Sequence, residues 1–209
     1  LKTINNMDTR LHKKALLLSY FTVGYNVLEG IASIFAGLFA GSIALVGFGS
    51  DSFVESLSGG VMIWRFRKHG KITEEEEEKV ELKATRLIAY TFFILGFYIL
   101  YESVKKLCFH EIPGPSLLGI IIAIVSIIVM PVLFYMKYQT GKSVNSKSLV
   151  ADSKQTLACT FMSVALLIGL GLNYLYGLWW ADPVVGLIIV VFLIKEGYTT
   201  FKEGKICCC

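Results

Sequence analysis

Residues 46–60, VGFGSDSFVESLSGG, place two carboxylates, Asp51 and Glu55, inside a run of apolar and small residues. At positions i and i+4 of a helix the two side chains emerge on one face, where they can share one cation. An Asp at the centre of a membrane span costs about 2.5 to 3.5 kcal/mol on insertion scales, and a neighbouring acid adds repulsion. The pair predicts cation binding or proton relay. The alternatives are protonated acids bonded to neighbouring helices, or an ion pair, for which Lys154 is the one basic residue near a span interior.

A second polar stripe occurs in SLVADSKQTLACTF, residues 148–161. Asp152, Gln155 and Cys159 recur at +3 and +7, which places a carboxylate, an amide oxygen and a thiol on one face of a helix. All three groups can meet a metal, and the alternative for Cys159 is a buried, protonated core thiol. Glu29, with Asn26 on the same helical face, is a further candidate as metal ligand or proton carrier, and its alternative is a helix–helix hydrogen bond.

The composition indicates that these acids lie in a membrane. Hydrophobic residues make up 55% of the 209 residues and charged residues 17%, against about 25% charged in a soluble domain, and the mean hydropathy is +0.63. We predict an all-α integral membrane protein with six transmembrane helices, each near the roughly 20 residues that cross a bilayer. The predicted spans are about 15–37, 42–64, 87–108, 117–136, 149–172 and 178–194.

The distribution of Lys and Arg predicts the orientation of the spans. Eighteen of the 20 lie in four segments, 1–14, 65–86, 137–154 and 195–205. By the positive-inside rule these segments and both termini are cytoplasmic. The net charge of +4 is therefore a topology signal, and we expect membrane lipids and no nucleic acid among the partners.

The spans divide the chain into three predicted parts. Residues 1–14 form a cytoplasmic N-terminal segment that is too polar for a signal peptide, so the first span stays as an anchor. Residues 15–195 form the transmembrane domain of a multi-pass protein of the cell membrane, the inner or plasma membrane. Residues 196–209 form a short cytoplasmic tail ending in Cys207–Cys209, which either captures a soft metal or is inert. We expect no cofactor.

Three motifs resemble those of the cation diffusion facilitator family. DSFVE, residues 51–55, is similar to the Asp-x-x-x-Asp of the family's second helix, with Glu55 in place of the second Asp. ADSKQTLAC, residues 151–159, is similar to the fifth-helix Ala-Asp-x-x-His-x-x-x-Asp, with Gln155 and Cys159 at the His and second Asp positions. WWADPVVGLII, residues 179–189, resembles the Asp-Pro opening of the sixth helix. The resemblance covers about residues 10–196.

This resemblance implies a homodimeric exporter of divalent metal driven by proton antiport, with a midplane site shared by helices two and five. The implied ligands are Asp51, Glu55, Asp152, Gln155 and Cys159, with Glu29 as an additional candidate. Loss of the His ligand leaves the metal open among zinc, cobalt, cadmium, iron and manganese, with zinc or cobalt favoured as the substrate.

The family also has a cytoplasmic domain of ferredoxin-like fold after the sixth helix. Fourteen residues follow Lys195 here, so the resemblance implies a compact branch that lacks this domain.

Two other function classes compete with metal export. A membrane scaffold or metal sensor would use the buried acids for helix packing only. A proton-coupled carrier of small organic cations would need an aromatic box, and only Phe48 and Phe53 lie near Asp51 in sequence. We expect no enzyme, because the sequence contains no recognisable catalytic motif.

Overall fold

The computed structural model describes residues 2–68, 74–114, 116–144 and 146–203, and within these ranges the chain forms six α-helices and no strands. The helices are α1 (Lys2–Ala40), α2 (Ile43–Lys68), α3 (Glu74–Phe109), α4 (Leu117–Ser143), α5 (Lys147–Tyr176) and α6 (Ala181–Glu203). The predicted all-α class and the six helices are confirmed.

The helices do not end where the predicted spans end. Helix α4 continues to Ser143 instead of stopping near 136, and α6 continues to Glu203, inside the segment predicted as a tail. Hydropathy marks the apolar part of a helix, whereas polar residues such as Lys and Glu continue it just as well. Among the described residues, three segments are long and apolar enough to cross a membrane: Lys13–Ala40, Leu117–Ser143 and Asp152–Tyr176, with mean hydropathies of 1.4, 3.0 and 1.8.

The helix bundle is apolar on the outside, and it buries charged groups within an otherwise largely apolar core. Large side chains such as Phe39, Leu175 and Ile94 are 80%, 72% and 71% exposed, whereas Asp51 and Glu55 are 4% and 0% exposed. A protein folded in water places its charged groups outward. The inverted pattern fits a lipid surrounding, and the chain is a multi-pass membrane protein.

Helix α2 lies at the centre of this arrangement. The most extensive helix pairs are α1 with α2, α4 with α5, and α3 with α6, and α2 also contacts α3, α5 and α6. Side chains on α2 are therefore shielded from lipid by several neighbours, which is why this helix tolerates two acids.

Two glycines allow α1 and α2 to approach closely. A Cβ atom added at Gly49 would lie 2.8 Å from Ser33 Cβ and 2.9 Å from the Gly30 carbonyl oxygen, and one added at Gly30 would lie 2.9 Å from the Gly49 oxygen. Small residues at a helix interface permit such backbone contact within a membrane. This contact fixes the position of α2 relative to α1 at Gly49, two residues before Asp51.

The first turn of α2 is held by α6. Asp182 accepts a 2.9 Å hydrogen bond from the Ile43 backbone N–H and another from the Ser42 hydroxyl. A carboxylate at a helix N-terminus satisfies donors that lack a partner within the helix, and it is favoured by the helix dipole. The cap ties α6 to α2 and fixes where α2 begins.

Candidate metal centre

The centre of the bundle contains the two acids of α2. Asp51 and Glu55 lie one turn apart on the same buried face, as the i and i+4 spacing predicts. This face is directed at α5, where the first side chain that both acids meet is Cys159.

The Cys159 thiol contacts both carboxylates. Its Sγ lies 3.2 Å from Asp51 Oδ2 and 3.1 Å from Glu55 Oε2, and the residue is 3% exposed. A thiol is a weak hydrogen-bond donor, and its thiolate is a strong ligand for soft and borderline metals. Two oxygen donors and one sulfur donor thus meet between α2 and α5.

Thr156, one turn before Cys159, fixes the other oxygen of Glu55. Its hydroxyl donates to Glu55 Oε1 at 2.6 Å, and its side chain is fully buried. The stripe of α5 that faces α2 therefore contains Thr156, which sequence reasoning did not select. Gln155 is only half-buried and makes no hydrogen bond or ion pair in the part of the chain that the structure describes.

A lysine from α4 enters the same cluster. Lys137 is fully buried, its Nζ lies 2.9 Å from Asp152 Oδ2 and 3.6 Å from Glu55 Oε1, and it donates to Thr156 Oγ1 at 2.8 Å. The expectation that Lys154 is the one basic residue near a span interior is wrong, because Lys154 is exposed and Lys137 lies inside α4. Sequence reasoning had counted Lys137 among the charges of a loop.

Asp152, two turns before Cys159 on α5, has partners other than the thiol. Besides Lys137 it meets Ser58, whose hydroxyl donates to Asp152 Oδ1 at 3.3 Å. Asp152 therefore lies in the ion-paired part of the cluster, and Asp51, Glu55 and Cys159 lie in the thiol part.

The donors are close but engaged with one another. In the described ranges, no group of three His, Cys, Asp or Glu side chains is arranged to hold a metal ion. Both Glu55 oxygens have a protein partner, Thr156 for one and Cys159 for the other. A metal ion must therefore break the thiol–carboxylate hydrogen bonds before it is bound.

The cluster lies within a part of the chain that matches a known protein family. The cation efflux transmembrane domain matches residues 19–205, a range that contains Asp51, Glu55 and Cys159 and reaches from α1 into the segment after α6. The chain belongs to the cation efflux family. The resemblance to cation diffusion facilitators is thereby confirmed.

The relatives of this chain are distant in sequence and longer. A cadmium, cobalt and zinc/H(+)-K(+) antiporter of Bacillus subtilis (strain 168) is 22% identical over 206 residues, which cover 96% of this chain and 64% of the relative. An uncharacterized transporter of Methanocaldococcus jannaschii is 25% identical over 190 residues, 89% of this chain and 66% of the relative. Transmembrane protein 163 of Xenopus laevis is 22% identical over 186 residues, 88% and 65% respectively. The chain spans just under two thirds of the length of the first relatives.

Glu29 lies in a separate polar cluster of the cation efflux domain. It is 5% exposed, and it accepts hydrogen bonds from the hydroxyls of Tyr25 and Ser52, both at 2.9 Å. Ser52 directly follows Asp51 on α2, so the two acids lie at the same depth on different sides of that helix. Asn26, which shares the α1 face with Glu29, is fully buried, and its amide has no hydrogen-bond partner in the described part of the chain.

Some predicted features lie outside the described residues. The tail cysteines Cys207–Cys209 are among them, so the prediction of soft-metal capture by the tail stays a prediction. The cytoplasmic orientation of both termini and homodimer formation likewise stay predictions.

Proposed function

We propose that this chain moves a divalent transition-metal cation across a membrane and that Asp51, Glu55 and Cys159 bind it. The observation that carries the proposal is the meeting of both α2 carboxylates at one α5 thiol. Two carboxylates and a thiolate combine hard and soft donors, a set suited to zinc, cobalt and cadmium. The name of the Bacillus subtilis relative includes the same three metals, which supports testing them first.

The cluster also supports exchange of metal for protons. In the hydrogen-bonded cluster the Cys159 thiol donates its proton toward Asp51 and Glu55. A metal binds the deprotonated forms of thiol and carboxylate, so its entry releases protons, and protons arriving from the other side compete the metal off. Proton antiport follows from this competition, and the printed name of the Bacillus subtilis relative includes both H(+) and K(+).

The remaining candidate residues have supporting roles in this proposal. Thr156 orients Glu55 through its 2.6 Å hydrogen bond, since an outer partner fixes the direction of a ligand. Asp152 completes the negative charge of the cluster from the ion-paired side. Gln155, half-buried one turn before Cys159 on α5, stays an additional candidate ligand.

One observation favours a second candidate function, a non-transporting scaffold. The ion pairs of Lys137 with Asp152 and Glu55 are fully buried, and a static network of this kind can fix helix register without binding anything. The two functions predict different results when Asp51 is neutralised. A metal transporter would lose transport, whereas a scaffold would keep its fold and its stability.

Metal flux into proteoliposomes tests the proposal. Full-length protein is reconstituted with a chelating dye inside, and zinc, cobalt, cadmium, manganese and iron(II) are compared with and without a pH gradient, in sodium and in potassium. Asp51→Asn removes one charge with little change in shape. Glu102→Gln is the matched control, because Glu102 lies on α3 and pairs with Lys105 at 3.4 Å, outside the cluster.

We expect saturable flux in the wild type and in Glu102→Gln, and none in Asp51→Asn. The folded state of each variant is checked by its thermal unfolding in detergent. Equal flux in Asp51→Asn and wild type would reject the site. Absence of flux for every metal in folded wild-type protein would favour the scaffold.

A further inference from the structure

The Lys137 side chain extends into the helix bundle, whereas a lysine near a helix end usually extends toward the membrane surface. It lies six residues before the end of α4 at Ser143, a distance from which a lysine side chain normally reaches for the membrane surface. Here its side chain is instead fully buried among Asp152, Glu55 and Thr156. The direction of the Cα–Cβ bond, tilted toward the helix N-terminus, permits this inward course.

The Lys137 ammonium contacts a carboxylate that the metal would need, because it lies near Oε1 of Glu55 while the Cys159 thiol meets Oε2 of the same side chain. An ammonium group has three N–H donors, and Nζ has three oxygen neighbours within 3.6 Å: Asp152 Oδ2, Glu55 Oε1 and Thr156 Oγ1. Any cation bound at Glu55 therefore lies within a few ångströms of a positive charge. In a buried site that repulsion is screened far less than at a surface.

Asp152 depends on this lysine. Its Oδ2 lies 2.9 Å from the Lys137 ammonium and has no other polar partner in the described part of the chain. Removing the ammonium would leave Asp152 with the Ser58 hydroxyl as its remaining partner among the described residues. Glu55 Oε1 would keep the Thr156 hydroxyl as its remaining partner there, and neither carboxylate would then be paired with a positive charge. Lys137 therefore neutralises negative charge of Asp152 and Glu55 that would otherwise attract a second cation.

We propose that Lys137, anchored by Asp152, is a tethered cation that competes with the transported metal for Glu55. This inference rests on the proposed function. Metal entry displaces the ammonium from Glu55, and the flexible stem lets it turn toward the nearby end of α4 while it keeps its charge. Its return to Glu55 helps to eject the metal. The lysine therefore sets a moderate affinity for the metal and speeds its release.

Equilibrium binding tests the competition without depending on transport. Zinc and cadmium binding to detergent-purified full-length protein is measured by titration calorimetry for wild type, Lys137→Gln and Lys137→Arg. Lys142→Gln is the control, because Lys142 is exposed on the same helix with its Nζ 4.5 Å from the Tyr138 ring. Removal of a buried like charge is expected to tighten binding on the order of 10- to 100-fold. Lys137→Arg and Lys142→Gln are expected to bind as wild type does.

A second measurement uses the wild-type chain alone and is independent of how well the variants fold. Amine acylation is followed by mass spectrometry with a chelator present and at saturating cadmium. We expect cadmium to increase labelling of Lys137 and to leave Lys142 unchanged.

The outcomes separate the two proposals. Unchanged or weaker metal binding by folded Lys137→Gln, or tighter binding by Lys137→Arg as well, would overturn the competition and leave metal transport standing. Unchanged Lys137 labelling at saturating cadmium would overturn it too. Failure of wild type and variants to bind any divalent metal would overturn both.

Discussion

The Sγ atom of Cys159 lies 3.1 Å from Oε2 of Glu55, across the interface between α5 and α2. The same sulfur lies 3.2 Å from Asp51 Oδ2. One side chain of α5 is therefore the meeting point of both acids of α2, and replacing it tests which ions the cluster prefers.

Cys159→Ser keeps a small hydrogen-bond donor but removes the soft ligand. Since thiolates favour cadmium and zinc and oxygen donors favour manganese, we expect cadmium affinity to fall by about tenfold or more relative to manganese. Competitive flux of the two metals in proteoliposomes measures the ratio. Cys108→Ser, at an exposed cysteine outside the cluster, is the control. A cadmium-to-manganese ratio that stays at the wild-type value would show that Cys159 does not bind the metal.

Thr156→Val tests whether the hydroxyl orients Glu55. Valine has nearly the same shape but cannot donate to Glu55 or accept from Lys137, contacts of 2.6 Å and 2.8 Å in the native chain. Loss of an outer partner of a metal ligand typically costs 10- to 100-fold in affinity, and we expect an effect of roughly that size. Binding is measured by calorimetry. Thr160→Val is the matched control, because Thr160 donates to the Thr156 backbone oxygen at 3.2 Å and its side chain makes no other hydrogen bond in the described part of the chain. Equal effects of both substitutions would contradict the assigned role.

The sequence predicted the α2 side of the cluster, but it did not predict Thr156 on the α5 side, and the reason is physical. Spacing at i and i+4 fixes the shared face of Asp51 and Glu55. It does not distinguish Gln155 from Thr156, which flank the same stripe of α5 between Asp152 and Cys159. The structure places Thr156 toward α2.

The burial of Lys137 was not predicted, because clusters of Lys and Arg were interpreted as cytoplasmic segments outside the spans. The buried positions of α4 recur at helical spacing through Ala123, Ser126, Met130 and Leu133, and the next step of that pattern is Lys137. Continuing the periodicity past the apolar run would have placed the lysine in the interior. The partner that justifies its burial, Asp152, is close only in the folded chain, so sequence spacing alone does not indicate the pair.

Gly49→Ala tests the close approach of α1 and α2. The added Cβ would lie 2.8 Å from Ser33 Cβ and 2.9 Å from the Gly30 carbonyl oxygen, so the helices must separate. Overpacking of this kind typically costs 1 to 3 kcal/mol, and we expect a loss of about that size with a lower midpoint of thermal unfolding in detergent. Gly60→Ala on the same helix is the control, because its added Cβ meets nothing within 4 Å. Equal midpoints for both variants would show that the glycine contact is not tight.

The Glu29→Gln variant tests whether Glu29 contributes to metal binding or to the coupling of metal flux to protons. Because Glu29 bonds to Tyr25 and Ser52 and does not touch Asp51, Glu55 or Cys159, we expect zinc affinity within about twofold of wild type, as for a site without a shared partner. Glutamine cannot carry a proton as a carboxylate does, so the dependence of flux on the pH gradient is expected to weaken. Calorimetry measures the first quantity and proteoliposome flux at several gradients the second.

Tyr25→Phe completes the Glu29 experiment as its matched control. It removes the 2.9 Å hydrogen bond to Glu29 and keeps the carboxylate, so gradient dependence should persist if the carboxylate itself carries the proton. Loss of zinc binding in Glu29→Gln would instead make Glu29 a metal ligand, which requires α1 to move toward the α5 thiol. Unchanged binding together with unchanged gradient dependence would limit Glu29 to holding α1 against α2 through Ser52, and proton exchange would then be confined to Asp51, Glu55 and Cys159.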